Sequence, residues 1–175
     1  IIEFANIIKK LKLNLFVNYF INIFFSIYIF LFCIYFLFFS NISGLKIILI
    51  ILLFACVASD IGGFIFGKIF KGPKLTKISP NKTYSGSFGS IFLSVIVVFF
   101  LSVYFQISIN LKLIIFATLT SIFCQVGDLI FSYLKRKAKL DDTGNILPGH
   151  GGILDRVDGM LLGIPLGFVI FVILN

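Results

Sequence analysis

Polar residues interrupt this chain at few points, and the apolar runs between them are long. Five runs approach the roughly 20 residues that a helix needs to cross the hydrocarbon of a bilayer, at about residues 15–39, 47–69, 88–105, 113–134 and 160–174. The first is long enough to tilt or to be a broken pair, and the last is short. The pattern predicts an all-α, polytopic integral membrane protein with about five transmembrane helices. Residues 1–59 hold spans without a polar motif. Residues 60–175 form a motif-bearing region with polar connections near 70–87 and 135–157.

Composition strengthens the assignment to lipid. With 175 residues, 59% of them hydrophobic, and a mean hydropathy of +1.13, the chain has more apolar surface than a soluble domain of its size can bury. A formal charge of +8 would suggest nucleic acid on a soluble protein. Here the lysines occupy connections between apolar spans, where they suit lipid head groups and phosphates, so no nucleic-acid partner is expected. Thirteen of the fifteen basic residues lie before the first run or in the connections after the second and fourth; only Lys46 and Lys112 fall on the other side. The positive-inside rule then puts the N-terminus and both long connections in the cytoplasm, in a cell (inner) membrane. Cys33, Cys56 and Cys124 lie far apart inside apolar runs and read as packed hydrophobes. The chain begins with Ile1 rather than Met and shows no signal-peptide cleavage pattern, so a fragment or processed form is expected.

Charge is scarce enough that its location matters. Residues 132–158 hold both arginines, the single histidine and four of the seven acidic residues. Asp60 and Asp128 sit inside apolar runs, and Asp155 and Asp158 stand at the entrance to the last one. A carboxylate in hydrocarbon costs from about 2.5 kcal/mol upward, so such residues are paired, solvated or metal-bound. One reading is helix–helix ion pairing, for instance Asp128 with Lys135. Another is a metal–phosphate site: Asp155 and Asp158 have the i, i+3 spacing of one helix face, and magnesium takes one or two carboxylates plus phosphate oxygens and water. The same two acids also suit the start of a helix, where negative charge is favourable. Gly149, Gly151 and Gly152 around His150 let backbone approach an anion closely. His150 itself reads as a phosphate donor, a base or a loop-packing residue. The stretch from Lys74 to Thr83 mixes ammonium groups and hydroxyls without the P-loop pattern, and it reads either as part of the site or as a solvated basic connection.

These residues resemble the phosphatidate cytidylyltransferases. The resemblance is carried by Ser132, Leu134, Lys135 and Arg136, then Asp141-Asp142, Gly144, Leu147-Pro148, His150-Gly151-Gly152-Ile153 and Asp155-Arg156-Val157-Asp158. Gln125-Val126-Gly127-Asp128-Leu129 matches a second block of that family. Lys74-Leu75 with Ile78-Ser79-Pro80-Asn81-Lys82-Thr83 and Gly86, preceded by Asp60, matches a third. Asp141 stands where the family usually has lysine, and members are longer at the N-terminus, so this chain is expected to lack their first helices.

The resemblance implies transfer of the cytidylyl group of CTP to phosphatidic acid, giving CDP-diacylglycerol and pyrophosphate. It implies Asp128 and Asp155 as principal metal ligands, Asp158 as a further ligand or a residue behind them, Asp60 as supporting, and Mg2+ as cofactor with a second, monovalent cation such as K+. Lys135, Arg136 and Arg156 would neutralise phosphate oxygens. Ser79, Lys82 and Thr83 would line the cavity, and His150, Gly151 and Gly152 would shape it. Membrane lipids are the surroundings, and a homodimer is compatible with the family. The alternatives are another CTP-using lipid enzyme, such as a polyprenol or phytol kinase, an inactive truncated relative, or a cation transporter, whose cations the basic cluster would repel.

Overall fold

The computed structural model describes residues 1–76, 79, 82–144 and 151–174. Among them six helices form: α1 (Ile2–Lys10), α2 (Leu15–Asn41), α3 (Ser43–Phe70), α4 (Tyr84–Tyr104), α5 (Leu111–Lys137) and α6 (Leu154–Leu174). The last five are long and apolar enough to cross a membrane, in agreement with the five runs. α2 is one continuous helix, not a broken pair. Its 27 residues extend about 40 Å at 1.5 Å per residue, so tilt or projection must absorb the excess over a hydrocarbon layer of about 30 Å.

The helix starts depart from the apolar runs in an informative way. α4 begins at Tyr84 and α6 at Leu154, both well before the runs at 88 and 160. Apolar runs report where a helix meets lipid, whereas a helix continues through polar residues that face its neighbours. Asp155 and Asp158 therefore lie on α6 itself, not in the connection ahead of it.

Helices in lipid gain little from excluding water, so close packing must come from small residues. A Cβ on Gly62 of α3 would overlap the carbonyl of Gly89 on α4. A Cβ on Gly159 of α6 would sit 2.7 Å from the Cys124 thiol of α5, and one on Gly163 would sit 2.9 Å from that of Cys56. These contacts draw α3, α4, α5 and α6 around a core that includes Leu52, Ala55, Cys56, Val98, Ala117, Cys124 and Ile164. Cys56 and Cys124 are packed as expected, but Cys33 is exposed on α2, because only Phe25 of that helix is fully buried.

Two features tie α1 and α2 to this bundle. α1 was not foreseen, being far shorter than a span. It buries Glu3, Phe4, Ile7 and Ile8 and leaves Lys9 and Lys10 exposed, the spacing of one helix face. Phe4 stacks on Phe25 of α2 at 3.7 Å between ring centroids and meets Phe131 of α5 edge-on. Further along, Pro165 inside α6 has no N–H for the carbonyl of Leu161. The Tyr28 hydroxyl of α2 donates to that carbonyl instead, filling an acceptor whose vacancy in lipid costs several kcal/mol.

Candidate active site

A cavity of about 350 Å³ opens among α3, α4, α5, α6 and the connection ahead of α4. Asp60 lines it from α3. Ser79, Lys82 and Thr83 contribute from the connection, Ser87 and Ser90 from α4, Gln125, Asp128 and Ser132 from α5, and Asp155, Arg156 and Asp158 from α6. Three sequence blocks far apart along the chain thus deliver their charged side chains to one space.

Local structure explains how each block arrives. The connection closes on itself through an isolated antiparallel bridge between Lys74 and Thr83, with the Leu75 amide donating to the Lys82 carbonyl at 2.7 Å. Thr83 then caps α4, its hydroxyl oxygen accepting from the Gly86 amide at 3.1 Å. This geometry sets Lys82 in an ion pair with Asp128. On α5, residues 121, 125, 128 and 132 share a face at helical spacing. The Ser132 hydroxyl donates to Asp128 Oδ1 at 3.3 Å, and Gln125 is bonded to Ser87 and Ser121.

Lys135 does not pair with Asp128 as that one reading of the acids supposed. Two turns of helix separate the two residues by about 10 Å along the axis, so Lys135 reaches across to α6 and holds Asp155 Oδ1 at 2.6 Å. The other oxygen of Asp155 accepts from the Thr143 amide at 2.8 Å, the Thr143 hydroxyl at 2.9 Å and the Gly152 amide at 3.0 Å. The helix-start reading of Asp155 therefore holds together with its place on the cavity wall. Asp158 differs. It is buried, it accepts from the Gly159 amide at 2.8 Å, and among the described residues it has no basic partner. Asp60 has none either, only a long contact of 3.7 Å from the Cys124 thiol.

The remaining sequence candidates divide. Arg156 lines the cavity. Arg136 does not: it is paired at the surface with the exposed Asp141. Gly151 and Gly152 lie behind the wall. Gly151 has φ +81, a conformation that glycine takes without strain. At Gly152 a Cβ would collide with the Thr143 hydroxyl and approach Glu3 to 2.7 Å. His150 lies outside the described residues, as do Lys77, Ile78, Pro80, Asn81 and residues 145–149.

Glu3 was not among the expected residues. It is the only glutamate in the chain, 7% exposed, and it reaches from α1 to the start of α6. Its Oε1 accepts from the Ile153 amide at 3.0 Å, its Oε2 accepts from the Leu154 amide at 2.7 Å, and the Thr143 hydroxyl, 3.1 Å from Oε2, shares its single proton between Glu3 and Asp155. Hydrogen bonds to a charged acceptor contribute about 1.5–3 kcal/mol each, which offsets burial without a cation. An acid on the face that carries Phe4, Ile7 and Ile8 was the available signal, and it is legible only once α1 is taken as a helix.

The donor set fits a divalent cation shared with a substrate. Among the described residues no three acidic, histidine or cysteine side chains converge as a ready-made metal cage. Magnesium does not require one, since it is bound through one or two carboxylates together with phosphates and water. Asp158 and Asp128 both line the cavity, Asp128 beside Lys82 and Ser132. Asp155 has one oxygen filled by three donors and the other beside Lys135.

Comparison with known proteins gives this arrangement a context. A family model described as the cytidylyltransferase family matches residues 3–174. The chain belongs to the cytidylyltransferase family. Among its relatives, a phosphatidate cytidylyltransferase of Staphylococcus epidermidis is 41% identical over 126 residues, covering 71% of this chain and 48% of that protein. One of Helicobacter pylori is 42% identical over 112 residues, covering 64% and 42%. One of Staphylococcus aureus is 41% identical over 135 residues, covering 75% and 52%. The chain spans about half the length of the curated relatives it matches. For this member of the cytidylyltransferase family, the match takes in α1 as well as the cavity-forming helices.

Proposed function

We propose that this chain carries the site that transfers the cytidylyl group of CTP to phosphatidic acid, releasing pyrophosphate and forming CDP-diacylglycerol. The observation that supports it best is the single cavity shared by Lys82, Asp128, Asp155, Arg156 and Asp158, inside helices apolar enough to lie in lipid. A volume of about 350 Å³ falls in the range of about 300–1,000 Å³ usual for small-molecule sites. The orientation that suits this chemistry places the connections around the cavity in the cytoplasm, where CTP is available.

The reaction joins two polyanions. An oxygen of the phosphatidate phosphate attacks the α-phosphorus of CTP in line, and the bond from that phosphorus to the α,β-bridging oxygen breaks as pyrophosphate leaves. A phosphate monoester has its second pKa near about 6, so the nucleophile is already largely ionised and needs no general base. The task of the side chains is positioning and charge compensation. Lys82, Lys135 and Arg156 balance phosphate oxygens, while Ser79, Thr83, Ser87, Ser132 and Gln125 offer hydrogen bonds along the wall. Asp128, Asp155 and Asp158, supported by Asp60, would hold Mg2+, whose chemistry there is to draw phosphate oxygens together and neutralise them; a monovalent cation such as K+ would add to that neutralisation.

Membranes containing the chain, supplied with labelled CTP, phosphatidic acid and magnesium, are expected to place label in CDP-diacylglycerol. Asp155→Asn is expected to remove that product while the protein still inserts. Undiminished product from the variant would overturn the assignment of Asp155. Ion flux without dependence on CTP would favour a transporter instead.

A further inference from the structure

We infer that Glu3 is a positioning residue for the carboxylates of α6, which makes α1 a working part of the site. The inference rests on the proposed function for its meaning in catalysis, but its geometry stands independently. The first N–H groups of a helix have no partner inside the helix and must find one elsewhere. In α6 two of these donors, the amides of Ile153 and Leu154, are taken by the two oxygens of Glu3. Asp155 follows directly. The Thr143 hydroxyl lies 3.1 Å from Glu3 Oε2 and 2.9 Å from Asp155 Oδ2, so one side chain joins the buried glutamate to the cavity wall.

The surroundings are shaped for this contact. Gly152 cannot carry a side chain without striking Thr143 and Glu3, and a Cβ on Gly144 would come within 3.2 Å of Glu3 Oε1. Phe4, next to Glu3, is packed against Phe25 and Phe131, which fixes the depth at which the carboxylate enters. Glu3 touches neither the cavity nor any group proposed to react, so it acts through the position of α6.

An amide cannot replace this carboxylate. Glutamine has the same shape but one oxygen, and its NH2 would face a backbone N–H, donor against donor. Aspartate keeps both oxygens on a shorter arm. The expected order is therefore wild type, Glu3→Asp, then Glu3→Gln and Glu3→Ala together.

The test uses the full chain in detergent or nanodiscs with two readouts. One is Mn2+ binding followed by its electron paramagnetic resonance signal, without nucleotide. The other is label transfer from CTP to lipid. Glu3→Gln is expected to weaken Mn2+ binding by about 10–100-fold, the usual effect of losing a residue behind a metal ligand. It should lower kcat more than it raises KM for CTP, and Glu3→Asp should recover part of both. Thr143→Val, which removes only the bridging hydroxyl, gives a milder version in a protein whose packing is preserved. Mn2+ binding equal to wild type in folded Glu3→Gln and Thr143→Val overturns the inference, as does a wild type that binds no Mn2+. Mn2+ binding that depends on Glu3, in a wild type that transfers no label, upholds the inference and rejects the cytidylyltransferase reading.

Discussion

Asp155 and Asp158 stand one turn apart on α6 and have little else in common. Asp155 is held by four donors from three residues, Lys135, Thr143 and Gly152, and the turn that carries it is anchored by Glu3. Asp158 accepts one bond, from the amide that follows it. It is buried there because Gly159 and Gly163 bring α6 against α5. The resemblance puts Asp155 first as a ligand and Asp158 behind it. The fold ties Asp155 into a framework as well as the cavity wall and leaves Asp158 with more acceptor capacity for a ligand. A carboxylate buried beside other carboxylates without an ion pair of its own among the described residues is costly, which is the expected signature of a group kept for function rather than stability.

The sharpest way to break this comparison is to neutralise each acid in turn. Asp158→Asn is expected to reduce label transfer from CTP by more than about a hundredfold, beyond the loss usual for residues that only support a metal ligand, while the thermal midpoint in detergent stays level or rises. Asp155→Asn should lose activity and lower the midpoint as well, because asparagine keeps only one acceptor oxygen and its NH2 must then face either Lys135 or the Thr143 and Gly152 amides. Indistinguishable midpoints in the two variants would erase the distinction between framework and ligand.

The same helix is pinned again just beyond Asp158. Tyr28 donates to the Leu161 carbonyl, which Pro165 leaves without a helical donor. Tyr28→Phe is expected to destabilise the protein by about 1–3 kcal/mol, the cost of an unpaired buried acceptor, and to reduce transfer because Asp158 lies between the two anchors. Pro165→Ala restores an N–H to that carbonyl. The double variant should therefore lose less than the sum of the singles in unfolding measurements. Simple additivity would mean that Tyr28 supports α6 by packing alone.

How much of this was visible beforehand follows from the kind of signal each feature leaves. Five spans were legible because lipid demands long uninterrupted apolar runs, and the cavity residues were legible because acids such as Asp60 and Asp128 stand out inside those runs. The start of α6 was misplaced because hydropathy marks lipid contact, not helix geometry. Glu3 and Tyr28 were invisible for a different reason. Each acts on backbone groups more than 130 residues away, Ile153 and Leu154 for one and Leu161 for the other. A backbone amide or carbonyl looks the same at every position of a sequence. Lys135 illustrates the intermediate case: its need for an acid was evident, but only the close approach of α5 and α6 selects Asp155 over Asp128.

The smallest effect belongs to the residue that looked most anomalous in the motif. Asp141 stands where a lysine is usual in the motif. In the structure it is 90% exposed at the side chain and paired with Arg136, and neither residue lines the cavity. Exposed pairs of this kind contribute about 0.2–1 kcal/mol and are screened by salt. Asp141→Lys is therefore expected to change KM for CTP by less than about fivefold, the factor equivalent to 1 kcal/mol, and by less still at high ionic strength. A larger, salt-insensitive gain in affinity would mean that Arg136, once released from Asp141, reaches the nucleotide, and the boundary of the site would then extend beyond the cavity to the end of α5.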